Sequence, residues 1–276
     1  MYASSLLFIF VVHRLARSCP AFCNCRKDTV DCSRRGLSVA PVGLPFPITN
    51  LSMAHNQVSV LPLDYFSCHA ELLVLDLRNN SLRDLPDRLF APLRSLLHLD
   101  LSYNNLSWVR RELLEPTRSL VSLTLSHNPG LSTLGLPPLP RLRLLDLRHG
   151  GLASVGPRAL DGLPAVTLVH LAGNPWFCGC ALEPLLKWVL GHLHQCNSDS
   201  REVVCAAPAQ VRGVPLSSLT EESFKACRSS LSLDDYLFIA LVGFAVSIAS
   251  VAMNFLLGIT ANCCHRWSKA SDEEDM

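Results

Sequence analysis

Aliphatic residues recur along residues 48–174 in a fixed pattern, with an apolar residue at the first, fourth and sixth positions and an asparagine, in one case replaced by glycine, at the ninth. The pattern occurs six times, and its ninth positions are Asn56, Asn80, Asn104, Asn128, Gly150 and Asn174. Successive ninth positions are 24 residues apart, except for a step of 22 between Asn128 and Gly150. One such unit cannot bury its own apolar face, so several must stack. The pattern predicts a curved α/β solenoid of about six repeats.

The first, fourth and sixth positions are mostly leucine, and roughly one residue in five of the chain is leucine. Residues 19–228 therefore resemble extracellular leucine-rich repeat proteins, in which each repeat contributes a short strand to a common core. An asparagine at the ninth position can hydrogen-bond backbone groups in the turn, which apolar side chains cannot do. Gly150 lacks that side chain, so we expect its turn to be looser or to be hydrated.

Cysteines flank the repeats and predict two caps, over residues 19–47 and 175–228. The resemblance to secreted leucine-rich repeat proteins implies four disulfides, whereas the spacing alone allows other pairings. The implied pairs are Cys19–Cys25, Cys23–Cys32, Cys178–Cys205 and Cys180–Cys227. Apolar residues at helical spacing between Leu182 and Leu193 predict a helix over the last repeat. Zinc ligation is the alternative for these cysteines, but no matching histidine pair accompanies them.

The two ends of the chain predict a secreted domain on a membrane anchor. Residues 1–18 resemble a signal peptide, with a short apolar stretch followed by small residues before Cys19. After a linker at 229–235, residues 236–261 contain no charged side chain, and as a helix they would reach about 39 Å. Basic residues follow this transmembrane helix, which favours a cytoplasmic tail at 262–276. The prediction is a single-pass type I protein of the plasma membrane.

Composition and motifs exclude several classes of function. The net charge is +1, so no broad basic surface for nucleic acid is expected. No nucleophile elbow, zinc-protease motif or phosphate-binding loop occurs in the sequence. The histidines are scattered, and side chains such as His98 and His170 are interpreted as surface groups. We therefore predict no enzymatic activity, no cofactor, no metal site and no small-molecule substrate.

Other residues are candidates for modification. Three sequons predict N-glycosylation at Asn50, Asn79 and Asn105. Cys263 and Cys264 follow the apolar segment and are candidates for palmitoylation, the alternative being two unmodified thiols. Cys68 and Cys196 have no expected mutual bond, because several repeats separate them. Either is buried and free, or one of them joins a partner chain.

Two surfaces are candidates for binding a partner. Outward positions of the strands form a concave face, which either binds a protein or is merely solvated. We expect it to include Asn50, Asp76, Asp100, Thr124, Asp146 and His170, flanked by Arg78 and Arg148. On the apolar segment, Gly243, Ser247, Ser250 and Asn254 recur at steps of four, three and four, which places them on one helical face. This face either packs on another helix or satisfies its polar groups within the helix and at the interface.

The repeats, the segment Leu219–Cys227, the span and the Asn-Cys-Cys-His-Arg-Trp tail resemble the auxiliary gamma subunits of BK channels. These are large-conductance, calcium- and voltage-activated potassium channels. The resemblance implies an auxiliary subunit that binds the pore-forming alpha subunit and shifts channel activation toward negative potentials. Channel contacts are expected at the span face and at Arg266 and Lys269. Strong family members carry a denser basic cluster there, so we expect a modest effect. The alternative is an adhesion or ligand-recognition receptor.

Overall fold

The computed structural model describes residues 19–156, 159–191, 202–228 and 233–274. The predicted signal peptide and Cys196 lie outside these ranges. The chain divides into two compact units, Met1–Phe224 and Lys225–Met276.

The first unit is a solenoid with one eight-stranded sheet along its concave side. Its strands are β1 Asn24–Arg26, β2 Thr29–Asp31, β3 Asn50–Ser52, β4 Val74–Asp76, β5 His98–Asp100, β7 Ser122–Thr124, β9 Leu144–Asp146 and β10 Leu168–His170. Two separate parallel pairs are formed by β6 Trp108–Val109 with β8 Thr133–Leu134, and by β11 Trp176–Phe177 with β12 Cys205–Ala207. β1 and β2 form an antiparallel hairpin, and each later strand of the main sheet joins in parallel. The predicted solenoid of about six repeats is confirmed.

One apolar side chain from each repeat strand points into the common core. These central residues are in register from strand to strand, and each is at most 1% exposed: Leu51, Leu75, Leu99, Leu123, Leu145 and Val169. Aromatic side chains fill the core of the first two repeats, where Phe66 and Phe90 lie 6.0 Å apart between ring centroids. Burying such a side chain contributes roughly 1.5–3 kcal/mol to folding. Stability therefore depends on contacts between neighbouring repeats.

Asparagines at the ninth position tie neighbouring repeats together. In Asn104, Nδ2 donates to the carbonyls of Leu77 and Leu101 at 3.0 and 3.1 Å. Its Oδ1 accepts from the Leu82 amide at 3.1 Å. The other ninth-position asparagines, Asn56, Asn80, Asn128 and Asn174, bond in the same way. Each side chain thus satisfies backbone groups of two repeats that would otherwise be buried and unpaired.

Gly150 interrupts this series of asparagines, but the turn that an asparagine would close stays closed. In the shortened repeat the Leu131 amide donates to the Asn128 carbonyl at 2.9 Å, so the turn closes through its own backbone. Asn174 of the next repeat reaches the Leu147 carbonyl at 2.7 Å. A Cβ atom on Gly150 would lie 2.8 Å from Asn174 Oδ1. The neighbouring asparagine therefore occupies the space that a side chain at position 150 would need.

We expect Gly150→Asn to destabilise the protein, although it restores the repeat pattern. The new side chain would displace Asn174 from its hydrogen bond to the Leu152 amide. Overpacking of this kind typically costs about 1–3 kcal/mol. Thermal unfolding of the purified protein would measure the loss. A higher melting temperature than that of the wild type would contradict the packing argument.

Disulfide-bonded caps cover both ends of the solenoid. The N-terminal cap contains Cys19–Cys25 and Cys23–Cys32, with Cα–Cα distances of 5.8 and 4.3 Å. The C-terminal cap contains Cys178–Cys205, with a Cα–Cα distance of 5.6 Å. These are three of the pairs that the family resemblance implies. Cys180 and Cys227 are also disulfide-bonded.

Short helices build the C-terminal cap, and a further one lies among the repeats. Helix α1, Arg111–Leu114, lies between β6 and β7, and α2, Glu183–Gly191, buries Leu185, Leu186 and Val189. Trp176, which precedes α2 in the sequence, is fully buried and donates from Nε1 to the Leu171 carbonyl at 3.1 Å. The predicted helical run to Leu193 extends beyond the described residues. 3-10 helices complete the cap at Cys180–Leu182, Ala209–Val211, Leu216–Ser218 and Glu221–Arg228.

The second unit contains one long helix, α3, Leu233–Glu274. Its segment Tyr236–Thr260 is long and apolar enough to cross a membrane, with a mean hydropathy of 2.3. The helix begins within the predicted linker and continues through most of the predicted tail. Its 42 residues correspond to about 63 Å, about twice the thickness of the hydrocarbon core. Hydropathy therefore marks only the apolar part of a longer helix.

Candidate interaction surfaces

The concave face presents two columns of side chains, because residues on either side of each central core residue point outward. One column runs in register through Ser52, Asp76, Asp100, Thr124, Asp146 and His170. The other contains Asn50, Val74, His98, Ser122, Leu144 and Leu168. Of the concave residues named from the sequence, five lie in the first column, whereas Asn50 lies in the second, in register with Val74.

The aspartates of this face are engaged in local turns. Asp76 Oδ1 accepts from the Arg78 amide at 3.1 Å, and the Arg78 side chain lies 3.5 Å from Asp76 Oδ2. Asp146 accepts from the amide and the guanidinium of Arg148, the shortest distance being 2.8 Å. These two carboxylates are therefore bonded to arginines of their own repeats. The face is a mixed polar and apolar surface rather than an acidic groove.

Two of these aspartates differ in their proton affinity. Burial raises the pKa of Asp76, and the Arg78 amide and side chain offset only part of that rise. Burial also raises the pKa of Asp146, but the bonds from Arg148 outweigh it and the net pKa is lowered. Asp146, which accepts more hydrogen bonds, therefore stays ionised to lower pH than Asp76 does.

A row of side chains lies beside the concave face, directly before the ninth position of each repeat. We call it the ledge, and it consists of His55, Asn79, Tyr103, His127, His149 and Gly173. All six residues have a positive φ, between 50° and 71°. The rings of Tyr103 and His127 stack at 4.1 Å, and those of His127 and His149 lie 4.6 Å apart. Asn79 Nδ2 lies 2.8 Å from His55 Nδ1.

The ledge was missed by the sequence analysis, which treated the histidines as scattered. The signal was available, because the ledge positions share the 24-residue period of the asparagines that follow them. Burial is the main cause that lowers the pKa of His127, and His149 and Arg148 lower it further, against Asp146, which raises it. A ring with a lowered pKa stays neutral near pH 7, which suits stacking against another ring.

The three sequons all lie in the N-terminal half of the repeats. Asn50 is half-buried on β3, whereas Asn79 and Asn105 are exposed. A glycan on Asn50 would cover the N-terminal part of the concave face. The strands from Ser122 to His170 carry no sequon. Glycosylation itself stays a prediction.

The described part of the span supplies one polar contact within the predicted helical face. Ser247 Oγ donates to the Gly243 carbonyl at 2.9 Å, so this hydroxyl is satisfied inside the helix. Gly243 has open space where a Cβ would lie. Asn254 lies exposed on the same face of the isolated helix. The residues predicted for palmitoylation and for channel contacts lie within α3, namely Cys263, Cys264, Arg266 and Lys269. Their modification and their contacts stay predictions.

Within the described residues, no group of three or more histidine, cysteine, aspartate or glutamate side chains could hold a metal ion. The N-terminal and C-terminal cysteines that were weighed as zinc ligands are instead disulfide-bonded. The extended surfaces of the described residues are the concave sheet and the apolar helix.

Comparison with known proteins agrees with this architecture. A family model described as "Leucine rich repeat" matches residues 47–106 and 70–129. Leucine-rich repeat-containing protein 55 of Mus musculus is 53% identical over 99% of this chain and 95% of its own length. Leucine-rich repeat-containing protein 38 of Mus musculus is 42% identical over 94% of this chain and 88% of its own. Leucine-rich repeat-containing protein 52 of Mus musculus is 36% identical over 93% and 83%. At these identities and coverages, the chain belongs to the leucine-rich repeat-containing protein family that includes proteins 55, 38 and 52.

Proposed function

We propose that this protein is an auxiliary gamma subunit of the BK channel, which binds the pore-forming alpha subunit and shifts activation toward negative potentials. The observation that carries the proposal is the charge-free span Tyr236–Thr260 with its face of small and polar residues. The resemblance of the span and the tail to the gamma subunits supplies the identity of the partner. The capped solenoid is the form that the same resemblance implies for the extracellular part.

The span contains residues that favour packing against another helix. Asn254 lies about 9 Å before the end of the apolar segment, at 1.5 Å per residue, and its amide has two donors and one acceptor group. In hydrocarbon such a group gains about 1 kcal/mol from an interhelical hydrogen bond. Gly243 permits close approach of another backbone, since it projects no side chain. Together they favour packing on the transmembrane helices of the channel.

The proposed orientation places the solenoid outside the cell and the end of α3 inside. Disulfides at both caps suit the oxidising secretory pathway. Arg266 and Lys269 follow the apolar segment, as the distribution of basic residues across membranes requires for the cytoplasmic side. Asp272, Glu273, Glu274 and Asp275 come next and weaken the local positive potential. Palmitoylation of Cys263 and Cys264 would strengthen the attachment of this segment to the membrane.

Co-expression with the BK alpha subunit tests the proposal. We expect the conductance–voltage curve at fixed calcium to move toward negative potentials relative to the alpha subunit alone. A tag after Met276 should be stained only in permeabilised cells, and glycosidase should lower the apparent mass. Co-purification without any gating shift would argue against the proposed regulation, and staining of intact cells would contradict the orientation.

The second candidate function is an adhesion or ligand-recognition receptor that uses the concave face. The observation in its favour is that the strands from Ser122 to His170 lack sequons and present Leu144 and Leu168 beside polar side chains. This candidate requires that a secreted fragment of residues 19–235 binds a partner. It also requires that the span is replaceable by an unrelated apolar helix.

A further inference from the structure

Three rings of the ledge form a continuous stack that joins three repeats. The Tyr103 and His127 rings lie 4.1 Å apart and nearly parallel, at an angle of 9°. The His149 ring lies 4.6 Å from that of His127, at an angle of 35°. Gly173 follows at the C-terminal end of the ledge, where a Cβ atom would collide with the His149 ring. The His127 ring is therefore held between rings of the repeats before and after it.

One nitrogen of the His127 ring is poorly placed to carry a proton. Its Nδ1 is shielded from solvent and has no hydrogen-bond partner among the described groups. A neutral imidazole leaves one of its two nitrogens without a proton, whereas an imidazolium carries a proton on both. A buried N–H without an acceptor is costly, and more so on a charged ring. The packing of the ring in the stack therefore opposes its protonation.

The groups that face His127 compensate little for an added proton. The titratable and charged groups around it are Tyr103 of the preceding repeat and His149, Arg148 and Asp146 of the next. Asp146 attracts a cation, but its carboxylate is already paired with the Arg148 guanidinium at 2.8 Å. Burial lowers the pKa of His127 most, and His149 and Arg148 lower it further, against Asp146.

The backbone of the stack depends on the same contacts between repeats. Tyr103, His127 and His149 have φ values of 53°, 57° and 52°, which residues with a side chain rarely adopt. The Tyr103 amide donates to the Ser126 carbonyl at 2.9 Å, and the His127 amide donates to the Arg148 carbonyl at 2.8 Å. Residues in such conformations persist only where the surrounding structure holds them, and they are common in switch regions.

We propose that the ledge is an acid-sensitive switch, in which protonation of His127 expels its ring from between Tyr103 and His149 and loosens the contact between their repeats. This switch does not depend on the channel partnership. The stack favours the neutral ring, so below about pH 6.5 the folded chain binds fewer protons than the unfolded chain. The stability that the stack supplies is fully present above that pH and falls as the pH decreases toward the pKa of the folded state. The switch would act in acidic compartments, such as endosomes.

Thermal unfolding of the purified full chain in detergent, at about pH 7.5 and about pH 5.5, tests the proposal. His127→Phe keeps a flat ring in the stack but has no nitrogen to protonate. Tyr103 shows that an aromatic ring fits this backbone conformation. We expect acidification to lower the melting temperature of the wild type by a few degrees more than that of His127→Phe.

His98→Phe is the matched control for this measurement. His98 is exposed on the concave face and lies outside the ledge, so its replacement removes an imidazole without touching the stack. We expect His98→Phe to lose as much stability on acidification as the wild type does. Equal losses for the wild type and His127→Phe would overturn the proposal. So would a loss that His98→Phe reduces as much as His127→Phe does.

Hydrogen exchange of the wild type locates the loosening, and it decides the question even if a variant fails to fold. Arg34 provides an internal reference, because its φ is 56° and its amide makes the equivalent bond to the Ala54 carbonyl at 2.9 Å, away from the stack. After correction for the intrinsic effect of pH on exchange, we expect acidification to speed exchange of the Tyr103 and His127 amides several-fold relative to that of Arg34. Equal changes at these three amides would show that the stack does not respond to acid.

Discussion

Removal of the Cys178–Cys205 disulfide should trap the protein inside the cell. The bond joins residues 27 positions apart and holds β12 beside β11, which follows the last repeat. Loss of a native disulfide from a small secreted domain typically costs about 2–5 kcal/mol. That is a large share of the total stability of most domains, about 5–15 kcal/mol. We expect Cys178→Ser and Cys205→Ser each to abolish most surface staining, with the protein retained in a glycosidase-sensitive immature form.

Cys68→Ser provides the control for this prediction. Cys68 makes no disulfide, so its replacement removes a thiol without opening either cap. We expect its surface level to match that of the wild type. If Cys178→Ser reaches the surface as well as Cys68→Ser does, the C-terminal cap does not need this bond to protect the last repeat. Cys180→Ser should behave like Cys178→Ser, since Cys180 is also disulfide-bonded.

The repeat pattern was sufficient to predict the solenoid, because the same side chains recur wherever the same contacts recur. Leu75 and Leu99 occupy equivalent positions in the sequence and adjacent positions in the core. The role of the ninth-position asparagines also followed from chemistry, since an amide both donates and accepts hydrogen bonds. The periodicity of the sequence is thus sufficient to predict the architecture and to indicate the family to which the chain belongs.

Features that depend on the neighbouring repeat were harder to predict. The closed turn at Gly150 results from Asn174 of the next repeat and from the backbone of Asn128, neither of which position 150 itself reveals. The ledge was not predicted because a histidine, a tyrosine and an asparagine share no obvious chemistry. What they share is a position with positive φ beside the next repeat, where their rings and amides meet.

The length of α3 shows a similar limit. Hydropathy marks Tyr236–Thr260 as the apolar part of this helix, and the transmembrane bounds 236–261 stay a prediction. It gave no sign that the backbone stays helical to Glu274, since helix formation outside the apolar segment does not require apolar side chains. Channel contacts on either part depend on a partner, so they stay proposals.

The second large effect concerns the span, and Gly243→Leu should impair assembly with the channel. A Cβ on Gly243 meets nothing within 4 Å, so the isolated helix tolerates the larger side chain. Any loss of co-purification must then come from the surface that faces Gly243 in the complex. Ala245→Leu is the matched control, since at 100° per residue position 245 points about 200° away from position 243. We expect it to co-purify as the wild type does.

Asn254→Leu should reduce the gating shift while leaving most of the assembly intact. A subunit changes channel opening only by binding the activated state more tightly than the resting state. Loss of one interhelical hydrogen bond of about 1 kcal/mol changes that equilibrium roughly fivefold. Ser247→Ala should have little effect, because its hydroxyl already bonds the Gly243 carbonyl. Equal shifts for Asn254→Leu and wild type would remove Asn254 from the mechanism.

Exchange of the solenoid separates the span mechanism from the receptor alternative. A chimera with an unrelated secreted domain in place of residues 19–228 should keep much of the shift, provided that it reaches the surface. The span can supply enough energy for this, since moving one charge through 100 mV involves only about 2.3 kcal/mol. A few interhelical contacts of about 1 kcal/mol each are of that size. If the chimera assembles without shifting the channel, while a soluble solenoid shifts it alone, the concave face and not the span is the regulatory surface.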